Sequence, residues 1–249
     1  MKNVYFSIII PTFNEEDNIK TLLTSIKNQT YKDFEVIICD SKSEDNTVKV
    51  INDFKGKIDN LHLSEKKLQN VSTARNYGAS QAKGEFLIFF DADTKIENNF
   101  LKEIKEKIEK YNLDDLTVWN RPKEKSIVGS IILTIMNLGM TISQKINPAA
   151  NGPCIIMKKK MFESIRGFDQ RIVFGEDFHL IQKAHKKHAN FRVFRTPLFY
   201  VSTRRFDKEG LFVSLYKSIK AILHQQFLGP IRKEIFEYEM GGQYYEDEK

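Results

Sequence analysis

The sequence predicts an α/β fold: a single, mostly parallel, Rossmann-like sheet flanked by helices and followed by a C-terminal helical extension. Three observations carry this. Short apolar runs rich in β-branched and aromatic residues alternate with segments of helical periodicity. Residues 36–39 and 86–90 are apolar without alternation, as strands covered on both faces are. The strand–helix order with short loops suits right-handed crossovers between parallel neighbours.

Taken in order, Phe6, Ile8, Ile9 and Ile10 mark a first strand, which Pro11 should close because proline cannot continue a central ladder. Thr12, Phe13, Asn14, Glu15, Glu16 and Asp17 supply turn and N-cap types, and Ile19, Leu22, Leu23 and Ile26 then recur at helical spacing. Residues 34–39 form a second strand, ended by the polar turn from Asp40 and Ser41 to Asn46. A helix carrying Val48, Ile51 and Phe54 follows, then a weak strand at Leu61, His62 and Leu63 and a helix from Ser72 to about Ala82. The run 86–90 ends abruptly in Asp91-Ala92-Asp93. Open α/β sheets bind ligands at the carboxyl ends of such strands, and two hard oxygen donors at i and i+2 can chelate Mg2+ or Mn2+. An Asp-rich turn capping the next helix is the competing reading.

Residues 98–111 give an amphipathic helix with Phe100, Leu101, Ile104 and Ile108 inward, and Thr117, Val118 and Trp119 a strand. Residues 126–144 carry no formal charge. That length reaches a bilayer span, but the serines, threonines and glycines within it favour a helix lying on the domain or dipping into a membrane interface. An ordinary amphipathic core helix remains open beside that reading. Asn151, Gly152 and Pro153 form a turn into a strand at residues 154–157, and a short helix through Met161 and Phe162 follows. Gly175, Glu176 and Asp177 open a further helix, residues 191–194 a late strand, and residues 201–206 a basic loop with Arg204 and Arg205. Residues 211–227 form an amphipathic helix, and residues 244–249 an acidic tail that frays.

Composition sets outer limits. The 249 residues fit one large domain with an appended segment, at 41% hydrophobic and 29% charged content. The expected division is a domain over residues 1–205 and an extension over residues 206–249. A net charge of +6 favours anionic partners without choosing among them. Cys39 and Cys154 lie far apart in apolar runs, so neither a disulfide framework nor a zinc site is expected. Met1 to Val4 lead straight into the first strand, so no signal peptide is expected and the predicted location is cytoplasmic. Peripheral contact at the inner face of a membrane stays open.

In sequence order, Ile8-Ile9-Ile10-Pro11-Thr12-Phe13-Asn14-Glu15, the turn from Asp40 to Asp45, Ala74-Arg75-Asn76-Tyr77-Gly78, Asp91-Ala92-Asp93 and Gly175-Glu176-Asp177 form a familiar set. Over roughly residues 4–205 the chain resembles family 2 glycosyltransferases of the GT-A fold. The resemblance implies a nucleotide-sugar donor, a divalent metal, and inversion at the anomeric carbon. Asp91 and Asp93 would hold Mn2+ or Mg2+ against the donor diphosphate. Pro11, Thr12, Phe13, Asn14, Asp40, Ser41, Arg75 and Ala92 would line the donor site, and Arg204 and Arg205 would fold over the diphosphate or grip an anionic acceptor. Asp177 is the candidate base for the acceptor hydroxyl, with Glu176 as its helper.

Local alternatives stand beside these roles: an Asx turn for Asp40, a surface ion pair for Arg75, a helix cap for Glu176 and Asp177, and an idle basic loop at residues 204–205. His179 stands where the family pattern often has an acid, as a metal or acceptor ligand or a structural histidine. No histidine falls in the late basic loop, so a third protein ligand for the metal is unassigned. The acceptor is expected to be a hydroxyl or phosphate on a glycan or lipid-linked molecule. Two other classes are less suited. A nucleotidyltransferase needs a glycine-rich first loop with a basic residue, which residues 11–14 lack. A nucleic-acid-binding module would gather cations and aromatics on one face, whereas these lysines are spread through acid-rich helices, so no nucleic-acid partner is expected.

Overall fold

The computed structural model describes residues 4–150, 152–233 and 235. Its strands are β1 (Phe6–Thr12), β2 (Phe34–Asp40), β3 (Leu61–Glu65), β4 (Phe86–Phe90), β5 (Lys95–Ile96), β6 (Asp115–Pro122), β7 (Cys154–Lys158) and β8 (Phe191–Val201). The helices are α1 (Glu16–Lys27), α2 (Thr47–Asn52), α3 (Val71–Gln81), α4 (Phe100–Tyr111), α5 (Ile127–Ser143), α6 (Lys159–Ser164), α7 (Glu176–His185), α8 (Arg204–Glu209) and α9 (Leu211–Phe227). Asn151 and the acidic tail expected at residues 244–249 lie outside the described residues.

All eight strands join one sheet in the order β3-β2-β1-β4-β7-β6-β8-β5. β3, β2, β1 and β4 are mutually parallel, β7 runs against β4 and β6, β8 is parallel to β6, and β5 runs against β8. The expectation of a mostly parallel sheet holds, with β7 and the two-residue β5 as the reversed strands. Strand alternation divides the core. Phe6, Ile8 and Ile10 of β1 face one cluster with Leu22 of α1, Phe100 of α4 and Ile132 of α5. Ile9 faces the other, with Ala74 of α3, Phe162 of α6 and Leu180 of α7. Both faces are therefore covered, which is why β2 and β4 carry no polar alternation.

Three expected boundaries move. β1 continues through Pro11 to Thr12, whose carbonyl accepts from the Ser41 amide at 2.9 Å. Thr12 thus turns towards β2, and Pro11 faces the opposite side, where pairing with β4 has stopped at Ile9–Phe89. No ladder bond is lost to its missing N–H. Arg204 and Arg205 open α8 instead of lying in a loop, because the Asp207 amide closes a helical turn on the Thr203 carbonyl at 3.1 Å. The division expected between residues 205 and 206 falls inside that helix, and Phe206 belongs to the first core cluster. β8 runs well past residue 194, since its outer half pairs with both β6 and β5.

At the amino ends of the strands, Gly84 lets the chain pass close to β1. Its amide donates to Ser7 Oγ at 2.8 Å, and a Cβ there would sit 2.6 Å from the Ser7 nitrogen. Asp115 is less well provided for. Both of its carboxylate oxygens are buried without a hydrogen-bond partner, and burial pushes its pKa up to about 8. The folded chain therefore holds this proton where the unfolded chain releases it, so stability falls as pH rises from about 4 towards about 8. Asp115→Asn should raise stability at pH 8 by about 1–3 kcal/mol and flatten that slope. Urea melts of both proteins at pH 5 and pH 8 would check this, and an unchanged slope would remove Asp115 as its source.

Candidate active site

The carboxyl ends of β1, β2 and β4 open onto one edge, and two loops there are laced together. The Asn14 amide donates to Ser43 Oγ at 2.9 Å, Asn14 Oδ1 accepts from the Glu44 amide at 2.9 Å, and the Glu15 amide donates to Thr47 Oγ1 at 2.7 Å. Asn14 takes a left-handed backbone (φ 52°) to do so, which asparagine tolerates. Asp40 is fully buried. Its oxygens accept from Thr12 Oγ1 at 3.0 Å and from the Ser43 amide and hydroxyl at 2.9 and 2.6 Å. That is the local turn weighed for this residue, and it shapes the loop wall. Phe13 projects from the wall at 39% exposure.

Arg75, delivered by α3, is the centre of the site. Only 2% of it is exposed, and its guanidinium spans two elements: NH2 to Asp91 Oδ1 at 2.7 Å and NH1 to Glu176 Oε1 at 2.8 Å. It also donates to the Gly152 carbonyl at 3.3 Å and packs 5.3 Å from the Phe168 ring centroid. Burial works against its charge, but Asp91 and Glu176 outweigh that and hold its pKa above the ordinary value. An exposed surface pair, the bland reading of Arg75, does not describe this.

Asp177 lies beside the same guanidinium, and Gly152 leaves room for it: a Cβ at Gly152 would stand 3.3 Å from Asp177 Oδ2. Oδ1 of Asp177 accepts from the Phe178 amide at 2.7 Å. Burial, then the charge of Glu176, pushes its pKa up to about 7. Burial, then Asp91, likewise pushes Asp93 up to about 6. Two carboxylates that repel in this way suit a divalent cation. Among the described residues no group of three Asp, Glu, His or Cys could hold a metal, so a cation here would rest on the two aspartates and on oxygens brought by a ligand.

Beyond the second aspartate lies a cluster that sequence reasoning missed. Lys123 Nζ donates to the Asp93 carbonyl at 2.9 Å and to Asn18 Oδ1 at 3.2 Å, and Arg204 donates to the same Asn18 oxygen at 2.8 Å. Glu15 accepts from Asn18 Nδ2 at 2.9 Å, and burial, then Asp93, pushes its pKa up to about 8. Lys123 lies in a charged turn with no periodicity to mark it, and Glu15 read as an ordinary first-turn acid. Arg204 is therefore drawn to the site, whereas Arg205 packs 5.3 Å from the Phe206 ring centroid. His179 is half-buried among Lys183, Asp169 and Arg232, apart from the site acids. An open groove of about 470 Å³ runs past the outer side of α3, lined by Lys66, Lys67, Thr73, Asn76 and Tyr77 among others, and none of the acids lines it.

A glycosyl transferase family 2 model matches residues 7–166. A Methanococcus voltae relative, dolichyl N-acetyl-alpha-D-glucosaminyl phosphate 3-beta-D-2,3-diacetamido-2,3-dideoxy-beta-D-glucuronosyltransferase, is 28% identical over 86% of this chain and 73% of its own length. Staphylococcus aureus TarS 1–349 in complex with UDP-GlcNAc superposes with a TM-score of 0.65 at 23% identity, covering 91% of this chain and 67% of that one. The Pyrobaculum calidifontis mannosyltransferase PcManGT, in complex with GDP-Man and Mn2+, gives 0.66 at 20% identity over 86% and 64%.

Proposed function

The chain belongs to glycosyl transferase family 2 and has the GT-A fold, and from that premise we propose that it moves one sugar, with inversion, from a nucleoside-diphosphate donor to an acceptor hydroxyl or phosphate. The observation that carries the proposal is the Arg75 bridge. It gathers Asp91 from the end of β4 and Glu176 from the start of α7 within 2.8 Å of one buried guanidinium, with Asp177 alongside. Asp91 of the strand-end pair and an acid with pKa near 7 are thereby brought around one guanidinium.

Asp91 and Asp93 are the residues that would hold Mn2+ or Mg2+, which supplies charge neutralisation at the departing nucleoside diphosphate. Arg75 occupies Asp91 Oδ1, so Oδ2 is the oxygen that would meet the ion. Thr12, Phe13, Asn14 and Ser41 form the wall for the nucleoside, and Asp40 keeps that wall in shape. Lys123 and Arg204 supply positive charge on the diphosphate side. Asp177 takes the acceptor proton as the acceptor oxygen bonds to the anomeric carbon. The bond from that carbon to the diphosphate oxygen breaks on the opposite face, and the nucleoside diphosphate leaves with the electron pair. The relative and the solved neighbours support a UDP- or GDP-sugar donor and a lipid-linked or glycan acceptor.

Release of UDP or GDP from a donor panel, measured with Mn2+, with Mg2+ and with chelator, tests the reading. Metal-dependent release from one donor is expected, with inverted configuration in the product by NMR. Asp93→Ala should lower metal-dependent turnover by about 100-fold or more, about 2.7 kcal/mol at the barrier. Turnover that survives both chelator and this substitution would end the metal-dependent reading.

A further inference from the structure

α9 is built inside out. Among its described side chains, those that are exposed are all aliphatic or aromatic, led by Phe212 at 85%, Phe227 at 78%, Ile222 at 65%, Tyr216 at 61% and Ile219 at 55%. Its polar groups turn inward: Ser214 is buried, Lys217 pairs with Glu209 at 2.8 Å, and Lys220 donates to the Ile235 carbonyl at 2.7 Å. α5 packs against α9 and, Thr134 apart, also turns aliphatic side chains outward, with Ile127 at 81% and Ile142 at 80% exposed and no charge along its length. Its inward side spends polar groups on the sheet. Asn137 Nδ2 donates to the Asn120 carbonyl at 2.8 Å, Asn137 Oδ1 accepts from the Asn120 amide at 3.0 Å, and Trp119 donates to Thr141 Oγ1 at 2.9 Å.

Scattered exposed apolar residues need no explanation, but two adjoining helices that both turn such faces outward do. No helix among the described residues is long and apolar enough to cross a membrane. The charge around the two helices says what covers them. Exposed Lys125 and Lys145 flank α5, Lys208 precedes α9, and exposed Arg232 and Lys233 follow it. An apolar face fringed by cations matches the interface of a bilayer with anionic headgroups. A second copy of the chain would instead bring two cationic fringes together.

We propose that the paired faces of α5 and α9 dock this protein on an anionic lipid surface, lying in the interface without spanning it. The docked helix is stitched to the pocket. The Val173 amide donates to the Ile231 carbonyl at 2.9 Å, and Gln225 packs so closely on Gly175 (φ 76°) that any Cβ there would collide with it. Gly175 leads directly into Glu176 and Asp177. The docked helix and the residues after it are thereby tied to the segment that carries the proposed catalytic acids. The docking itself stands apart from the reading of sugar transfer.

The test is flotation of the full chain with vesicles of phosphatidylcholine alone or with about a third phosphatidylglycerol. Binding to the anionic vesicles is expected, at least tenfold stronger than to neutral ones. Replacing Phe212, Ile219 and Ile222 together by Ser should lower it by a further tenfold or more, with the melting temperature unchanged because these side chains touch solvent. The same outcome is expected of an Ile127→Ser, Ile135→Ser, Ile142→Ser variant. A chain that floats with neither vesicle, or binds equally after both triple substitutions, overturns the proposal. So does a dimer in light scattering that those substitutions abolish without any change in flotation, because a second copy then covers the face. Flotation reads binding alone, so its failure leaves nucleotide release to be judged separately.

Discussion

Asp177→Asn is expected to lower kcat by about 10²–10⁴-fold while donor affinity stays within about threefold. The carboxyl sits where burial, then the Glu176 charge, raises its pKa to about 7, with the Arg75 guanidinium and the Phe178 amide pulling the other way. A base works only when deprotonated, so turnover of the parent protein should climb as pH rises through about 7 and level off above it. An amide cannot accept the acceptor proton, and the variant's residual rate should lose that limb. Glu176 remains paired with Arg75 in this variant, so the pocket keeps its cation and the nucleotide should still bind. Steady-state rates across pH 5.5–9, with nucleotide affinity by calorimetry, separate these effects. Full activity in Asp177→Asn would move the base elsewhere.

The largest expected loss of stability comes from Arg75→Met. Met has similar length and keeps the contact with Phe168, so the change isolates the charge. Without the guanidinium, Asp91, Glu176 and Asp177 crowd together with no cation among them. Breaking a buried pair from one side costs about 3–5 kcal/mol. The loss should grow with pH. Below about pH 5.5 Asp177 can keep its proton, whereas at pH 8 this buried carboxyl, with its pKa of about 7 in the parent protein, is ionised and uncompensated. Arg75→Lys should not rescue it, since one ammonium cannot fork between carboxylates on two elements. Denaturant melts at pH 5.5 and pH 8 decide the matter. A variant as stable as the parent at pH 8 would show that the bridge contributes nothing net.

Much of the architecture could be read from the chain because local and tertiary preferences agree there. Burial on both faces wrote itself into β2 and β4 as unbroken apolar runs, and α4 and α1 announce themselves through Phe100, Ile104 and Ile108 or Ile19, Leu22 and Ile26 at helical spacing. The misplaced parts are those whose state depends on a distant partner. β5 is only Lys95–Ile96 and exists because β8 lies beside it, and Pro11 stays in its strand because β4 ends one residue earlier on that side. At the site, the acids at residues 91, 93, 176 and 177 were legible as strand-end and helix-start groups. Lys123, Asn18 and Glu15 were not, since they meet only where β6, α1 and the β4 edge converge.

The sequence by itself determined the α/β alternation and the set of carboxylates at strand and helix ends, because hydrophobic period and turn chemistry are properties of neighbouring residues. Only the tertiary structure decided that Arg75 is the buried hinge between Asp91 and Glu176, residues 16 and 101 positions away from it. It also decided that α5 and α9 turn their apolar sides outward. Both follow from which surfaces the folded sheet leaves for each helix to cover, and no stretch of chain records that on its own.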